Sequence, residues 1–170
     1  MTITKRGFEV ISSYSGTTVS TPKRSTATSA GYDFEATEDV IIPPLYETLA
    51  ELSKTDKEEL IRNAKPVLVP TGIKAYMGKD EFLMLANRSS NPLKKFLIIP
   101  NGVGIIDSDY YNNESNEGHI YFQFINAGPK PIEIKRGDKI GQGIFIPFLV
   151  ADGDEASQTR TGGFGSTSNV

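Results

Sequence analysis

An all-β fold, a jelly-roll-like barrel or sandwich, is predicted for this 170-residue chain by three observations. Sixteen glycines and ten prolines punctuate it, and the short runs between them are rich in Val, Ile, Phe and Tyr. One run alternates, with Ile120, Phe122 and Phe124 on one face and Tyr121, Gln123 and Ile125 on the other. Period-two alternation marks a strand, and short strands separated by frequent turns belong to architectures whose antiparallel sheets bury one another's faces.

Phe8 to Ile11 is the first apolar run, set off by Gly7, and Val40 to Ile42 is the second, stopped by Pro43-Pro44. Pro66 to Tyr76 is a longer run, and Glu81 to Ala86 follows the turn residues Gly78-Lys79-Asp80. Phe96 to Ile99 and Gly102 to Ile106 are parted by Pro100-Asn101. His119 to Asn126 carries apolar groups on both faces and is predicted to be well buried; Pro131 to Ile134 and Lys139 to Phe148 complete the set. Residues 45–64 break this pattern. Leu45, Leu49 and Leu52 fall at helical spacing, and Thr55-Asp56-Lys57-Glu58 reads as a capping box opening a further turn, so a short helical insertion is predicted.

The β domain is expected over residues 1–150 and a flexible arm over 151–170. Ala151 to Thr159 is polar, and Arg160 to Ser168 is glycine-rich with Arg160 and Phe164 embedded in it. Such a tail is either a disordered terminus or an anion wrap, in which Arg160 pairs with phosphate and Phe164 stacks on a base.

Bulk properties exclude several functions. The net charge of -3 lacks the basic excess of a nucleic-acid backbone binder. With no cysteine, thiol chemistry and disulfides are impossible, and a single histidine, His119, cannot build a multi-histidine zinc site. It is expected in solvent or a hairpin. No run approaches the roughly 20 apolar residues of a spanning helix, and the N-terminus lacks a secretory core, so a soluble cytoplasmic protein without membrane contact is expected.

Chemistry concentrates at Gly102-Val103-Gly104-Ile105-Ile106-Asp107-Ser108-Asp109-Tyr110. Asp107 emerges from a rigid apolar strand and could take a proton from water, while Tyr110 could stack on a cyclic ligand group. An ordinary Asp-rich turn would carry the same residue types.

Five separated segments then fall in order: Ala30-Gly31-Tyr32-Asp33, Arg88-Ser89-Ser90, Asn101 through Tyr110, Gly137-Asp138-Lys139-Ile140-Gly141-Gln142, and Arg160 through Ser168. Together they resemble the five motifs of the homotrimeric all-β dUTPases. The resemblance implies magnesium-assisted hydrolysis of dUTP to dUMP and pyrophosphate, which keeps uracil out of DNA and supplies dUMP for thymidylate synthesis. It also implies active sites shared between the subunits of a trimer. Asp107 matches the water-activating aspartate, and Tyr110 the ring packed on the deoxyribose. Asn101, Gly104 and Ile106 lie in the uracil-recognising hairpin. Arg88, Ser89, Ser90 and Gln142 match the phosphate contacts, and Arg160, Phe164, Gly165, Ser166 and Thr167 the closing arm. Mg2+ is implied as an ion held by the phosphates and waters, not directly by the protein, with Asp33 in a second-shell or structural role.

This chain departs from that pattern in having Ser90 where many members carry glycine, a longer loop from Tyr111 to Gly118, and the insert at 45–64. A dCTP deaminase of the same fold is the enzymatic alternative. It needs a glutamate where this chain has Gln123, whose amide is no general base. A nucleotide-dependent regulatory protein, binding a protein partner through the helical insert, is the alternative from another class.

Overall fold

The computed structural model describes residues 5–52 and 65–157. Among them run twelve strands: β1 (Gly7–Val10), β2 (Lys23–Arg24), β3 (Tyr32–Glu35), β4 (Val40–Ile42), β5 (Val67–Pro70), β6 (Ile73–Tyr76), β7 (Glu81–Asn87), β8 (Leu97–Ile98), β9 (Gly104–Asp107), β10 (Tyr121–Asn126), β11 (Ile132–Ile134) and β12 (Lys139–Pro147). Two short helices accompany them, α1 (Leu45–Leu52) and α2 (Ser90–Lys95).

Every strand pairing is antiparallel. A five-stranded sheet has the order β2-β3-β12-β7-β9, a three-stranded sheet the order β5-β10-β8, and β1-β6 and β11-β4 form two smaller ribbons. This is the all-β, jelly-roll-like arrangement expected. Between the sheets Phe34, Leu83, Leu85 and Ile106 meet Val69, Ile120, Phe122 and Phe124. Burying each such side chain contributes roughly 1.5–3 kcal/mol relative to leaving it in water. The Phe34 and Phe122 rings cross the gap at 5.6 Å and 58°.

The predicted alternation in β10 holds: Phe122, Phe124 and Asn126 are buried, while Tyr121, Gln123 and Ile125 are half-buried. Glycine makes room for this packing in β12, where a β-carbon at Gly143 would lie 2.6 Å from Phe34 Cε2. The register of β12 against β3 shifts between Lys139 and Gly141, so Ile140 and Gly141 both turn inward and Gln142 faces the opposite side.

Three expectations are corrected. Pro66 to Tyr76 is two strands, because Thr71 and Gly72 turn the chain with Gly72 at φ +67. β3 and α2 were absent from the sequence expectation, and β2 with them. His119 is neither in solvent nor exposed at a hairpin: it is 4% exposed, and its Nε2 accepts the Gly72 amide at 2.9 Å. Of the predicted insertion, Leu45–Leu52 is helical as expected, and the capping box at Thr55 to Glu58 lies outside the described residues. Among the described residues no helix is long and apolar enough to cross a membrane.

Candidate active site

Asp33 organises one end of the five-stranded sheet. In β3, Phe34 points into the core, so its neighbour Asp33 faces the other side, directly across from Gln142 in β12. Its carboxylate accepts hydrogen bonds from Ser25 Oγ at 2.6 Å, Lys139 Nζ at 2.8 Å and Gln142 Nε2 at 3.2 Å, with Arg88 Nε at 3.7 Å. Burial alone would raise the Asp33 pKa, but the donations from Lys139, Ser25 and Gln142 win and bring it to about 2. Glycine at residue 31 lets the Gln142 side chain lie close: a β-carbon there would sit 2.9 Å from Gln142 Oε1.

Arg88 leaves the end of β7 and is tied to the same cluster by donating Nη1 to the Lys139 carbonyl at 3.1 Å. Its side chain remains 31% exposed. Ser89 and Ser90 open α2, and the Ser89 side chain makes no capping hydrogen bond there. Asn91, which sequence reasoning passed over, is buried beneath the turn. Its Nδ2 donates to Asn87 Oδ1 and to the Ile140 carbonyl, both at 2.8 Å, stapling the Arg-Ser-Ser turn to β12. Lys139 and Ser25 were likewise missed. The run of Lys139 through Gln142 could have pointed to the former, whereas no local pattern points to Ser25.

Asp107 closes β9 and precedes a 3₁₀ turn at Ser108–Tyr110. Half-buried, it lines an open cavity of about 700 Å³ with Ser108, Asp109, Lys79 and Glu81. Tyr110 is 4% exposed; its hydroxyl donates to the His119 carbonyl at 3.0 Å and receives Asn116 Nδ2 at 2.7 Å.

A second, smaller recess of about 170 Å³ brings together Asn101, Gly104 and Ile106 with Leu85, Tyr121 and Gln123. Gly104 has its place because a β-carbon there would press on Leu85 Cβ at 3.1 Å. Gly102 bends the entry turn at φ +74.

The predicted residues thus form three groups in one chain: Asp33, Arg88 and Gln142; Asn101, Gly104 and Ile106; and Asp107 with Tyr110. The first and last are far apart. Asp107 pairs with Phe82 near one end of β7, while Arg88 follows the other end, about 20 Å away at the usual rise of a strand. Arg160, Phe164, Gly165, Ser166 and Thr167 lie outside the described residues.

A profile of the family described as dUTPase matches residues 51–168 of this chain. The deoxyuridine 5'-triphosphate nucleotidohydrolase of Lactococcus lactis subsp. lactis is 48% identical over 164 residues, covering 95% of this chain and 97% of that one. The crystal structure of dUTPase from Streptococcus mutans superposes with a TM-score of 0.71 at 42% identity, covering 86% of this chain and 99% of that one. A mutant dUTPase from phage phi11 of S. aureus, described with the coordination of a structural Mg(II) ion, shares the fold at TM-score 0.63 and 16% identity, over 91% of this chain and 97% of that one.

Proposed function

The chain belongs to the dUTPase family, and from this premise we propose how its residues divide the work. It hydrolyses dUTP to dUMP and pyrophosphate. Asp107 acts as general base, taking a proton from the water that attacks the α-phosphorus. The recess of Asn101, Gly104 and Ile106 receives uracil, with main-chain groups reading its edge and narrow walls rejecting larger bases. Tyr110 packs on the deoxyribose and leaves no room for a 2′-hydroxyl.

Arg88, Ser89, Ser90 and Gln142 hold the phosphates, with the guanidinium giving charge-assisted hydrogen bonds. Asp33 is structural in this reading: it aims Arg88, Lys139 and Gln142. The arm closes the site, with Phe164 over the base and Arg160, Gly165, Ser166 and Thr167 on the phosphates. Magnesium would arrive with the triphosphate, held by its oxygens and by water rather than by these side chains, and would supply neutralisation of the charge at phosphorus. The Asp33 carboxylate is already engaged, and among the described residues no three His, Asp or Glu side chains converge as a metal cage.

One observation carries the reading. Asp107 lines the open cavity beside one end of β7 while Arg88 follows the other end, so the triphosphate of one dUTP meets Arg88 of one chain and Asp107 of another. A homotrimer with shared sites, each closed by an arm, satisfies this. The outer face of the β5-β10-β8 sheet, with Leu68 47% and Ile98 40% exposed beside Ile125, supplies apolar surface for such contacts.

Mixing tests it. Asp107→Asn and Arg88→Ala chains, each inactive alone, should regain activity when unfolded and refolded together, because some sites then combine an intact Arg88 with an intact Asp107. Mixtures no more active than their components would place both residues in one chain's site.

A second reading attaches to α1, where Tyr46 is 49% and Leu49 38% exposed. A protein partner docking there would lose its hold when residues 45–64 are deleted, while dUTP turnover persists; undiminished binding would exclude the insert. The absence of a spanning helix among the described residues suits a cytoplasmic enzyme.

A further inference from the structure

Glu117 ties the loop at 111–118 to β6 and to the N-terminal segment, and the Tyr111 hydroxyl adds a hydrogen bond to Glu9 Oε2 at 2.7 Å. Glu117 Oε1 accepts Lys74 Nζ at 2.7 Å, and Glu117 Oε2 accepts both the Ser12 amide at 2.9 Å and Ser12 Oγ at 2.6 Å. Lys74, on β6, is only 8% exposed; it also donates to Asn112 Oδ1 at 2.7 Å and lies 5.1 Å from the centre of the Tyr111 ring. Glu117 itself sits at φ 61 and Asn112 at φ 57, a left-handed backbone that a β-carbon disfavours and that persists only where surrounding contacts over-determine it.

What this bolt secures is Tyr110. Asn113 Nδ2 donates to the Tyr110 carbonyl at 2.9 Å, and Asn116 Nδ2 to its hydroxyl at 2.7 Å. Gly118 follows so closely that a β-carbon there would lie 2.7 Å from the same carbonyl. Asn113, Asn116 and Gly118 all hang from the stretch that Glu117 pins, so an ion pair on β6 and a hydroxyl from the N-terminal segment brace the ring, whose own hydroxyl also donates to the His119 carbonyl.

We propose that Glu117, anchored by Lys74 and Ser12, is a positioning residue that sets sugar selectivity by holding Tyr110 in place. Glu117 touches no reacting atom and acts through the loop. The inference rests on the reading that Tyr110 packs against the deoxyribose. Loss of the anchor lets the tyrosine turn yield, and the space that excludes a 2′-hydroxyl opens.

The discriminating quantity is the ratio of kcat/KM for dUTP to that for UTP, from which the fraction of folded enzyme cancels. Glu117→Gln should lower this ratio by at least about tenfold, as misplacements of an ångström or less do elsewhere. Ser12→Ala, a milder change at an exposed residue, should lower it less, and Lys74→Arg, which keeps the ion pair, should preserve it. Glu133→Gln, at an exposed pair with Lys135, should leave the ratio unchanged. A wild-type ratio in both Glu117→Gln and Ser12→Ala, with the ratio lost in Tyr110→Leu, overturns the proposal alone. A wild-type ratio in Tyr110→Leu overturns it together with the assignment of Tyr110 to the sugar.

Discussion

Gly141 and Phe122 meet across the core so closely that a β-carbon on residue 141 would lie 1.9 Å from Phe122 Cε1. The ring is 1% exposed and is packed against Phe34 at 5.6 Å, so it has nowhere to retreat. Gly141→Ala should therefore cost about 1–3 kcal/mol or more by overpacking. Urea denaturation measures it, and an unchanged midpoint would mean that the ring has another rotamer to adopt. Because Gln142 is the next residue, the same variant should also weaken phosphate binding.

Asp107→Asn removes the proposed proton acceptor while keeping the shape of the β9 terminus. Turnover should fall by about 10²- to 10⁴-fold with nucleotide binding retained, the usual scale for loss of a general base. Single-turnover product analysis with dUTP separates the two effects. An active Asp107→Asn enzyme would remove the residue from its role.

His119 gives the fold an acid-sensitive element. Burial pushes its pKa down to about 4 against the opposing influence of Glu38 and Glu117, so the imidazole is neutral in the folded chain at neutral pH. The unfolded chain binds the proton near 6.5 and the folded chain only near 4, so stability is full above about pH 6.5 and drains away as pH falls toward 4. His119→Gln keeps an acceptor for the Gly72 amide without titrating. Its melting temperature should lose less between pH 6.5 and 4.5 than that of the wild type; parallel curves would contradict this.

Asp33 titrates in a separate, lower window. Its folded pKa of about 2 lies below the ordinary 3.8, so its contribution is intact above about pH 4 and is lost as pH falls toward 2. Asp33→Asn should abolish that contribution. Through Arg88, Lys139 and Gln142 it should also raise KM for dUTP more than it lowers kcat. Equal losses in both would assign Asp33 a more direct part in the chemistry.

The sequence exposed whatever depends on neighbours in the chain. Ile120 to Ile125 alternates because a half-buried strand must, and β10 follows it. β3 escaped because Asp33 and Glu35 interrupt it with charge, and the groups that make a buried carboxylate tolerable there, Lys139 and Arg88, arrive from remote parts of the chain. α2 hid behind Pro92, which signals a turn but is tolerated in the first turn of a helix, where its missing amide would have no partner. His119 is buried by Tyr14, Gly72 and Tyr121, a matter of packing and not of local pattern. The five motifs marked the proposed site by residue type and order, but the contacts of Asn91 with β12, of Ser25 with Asp33 and of Glu117 with Ser12 and Lys74 arise only when separate segments are brought together.

The separation of Arg88 from Asp107 along β7 has a consequence for how the activity scales with the amount of protein. If dUTP meets Arg88 of one chain and Asp107 of another, a lone chain holds the parts of several sites and the whole of none, and catalysis obeys mass action between chains as well as saturation by nucleotide. Specific activity should be constant at high enzyme concentration and fall steeply once dilution passes the dissociation constant of the assembly. Turnover then reports on association itself, and anything that pries the chains apart inhibits the enzyme without approaching its substrate.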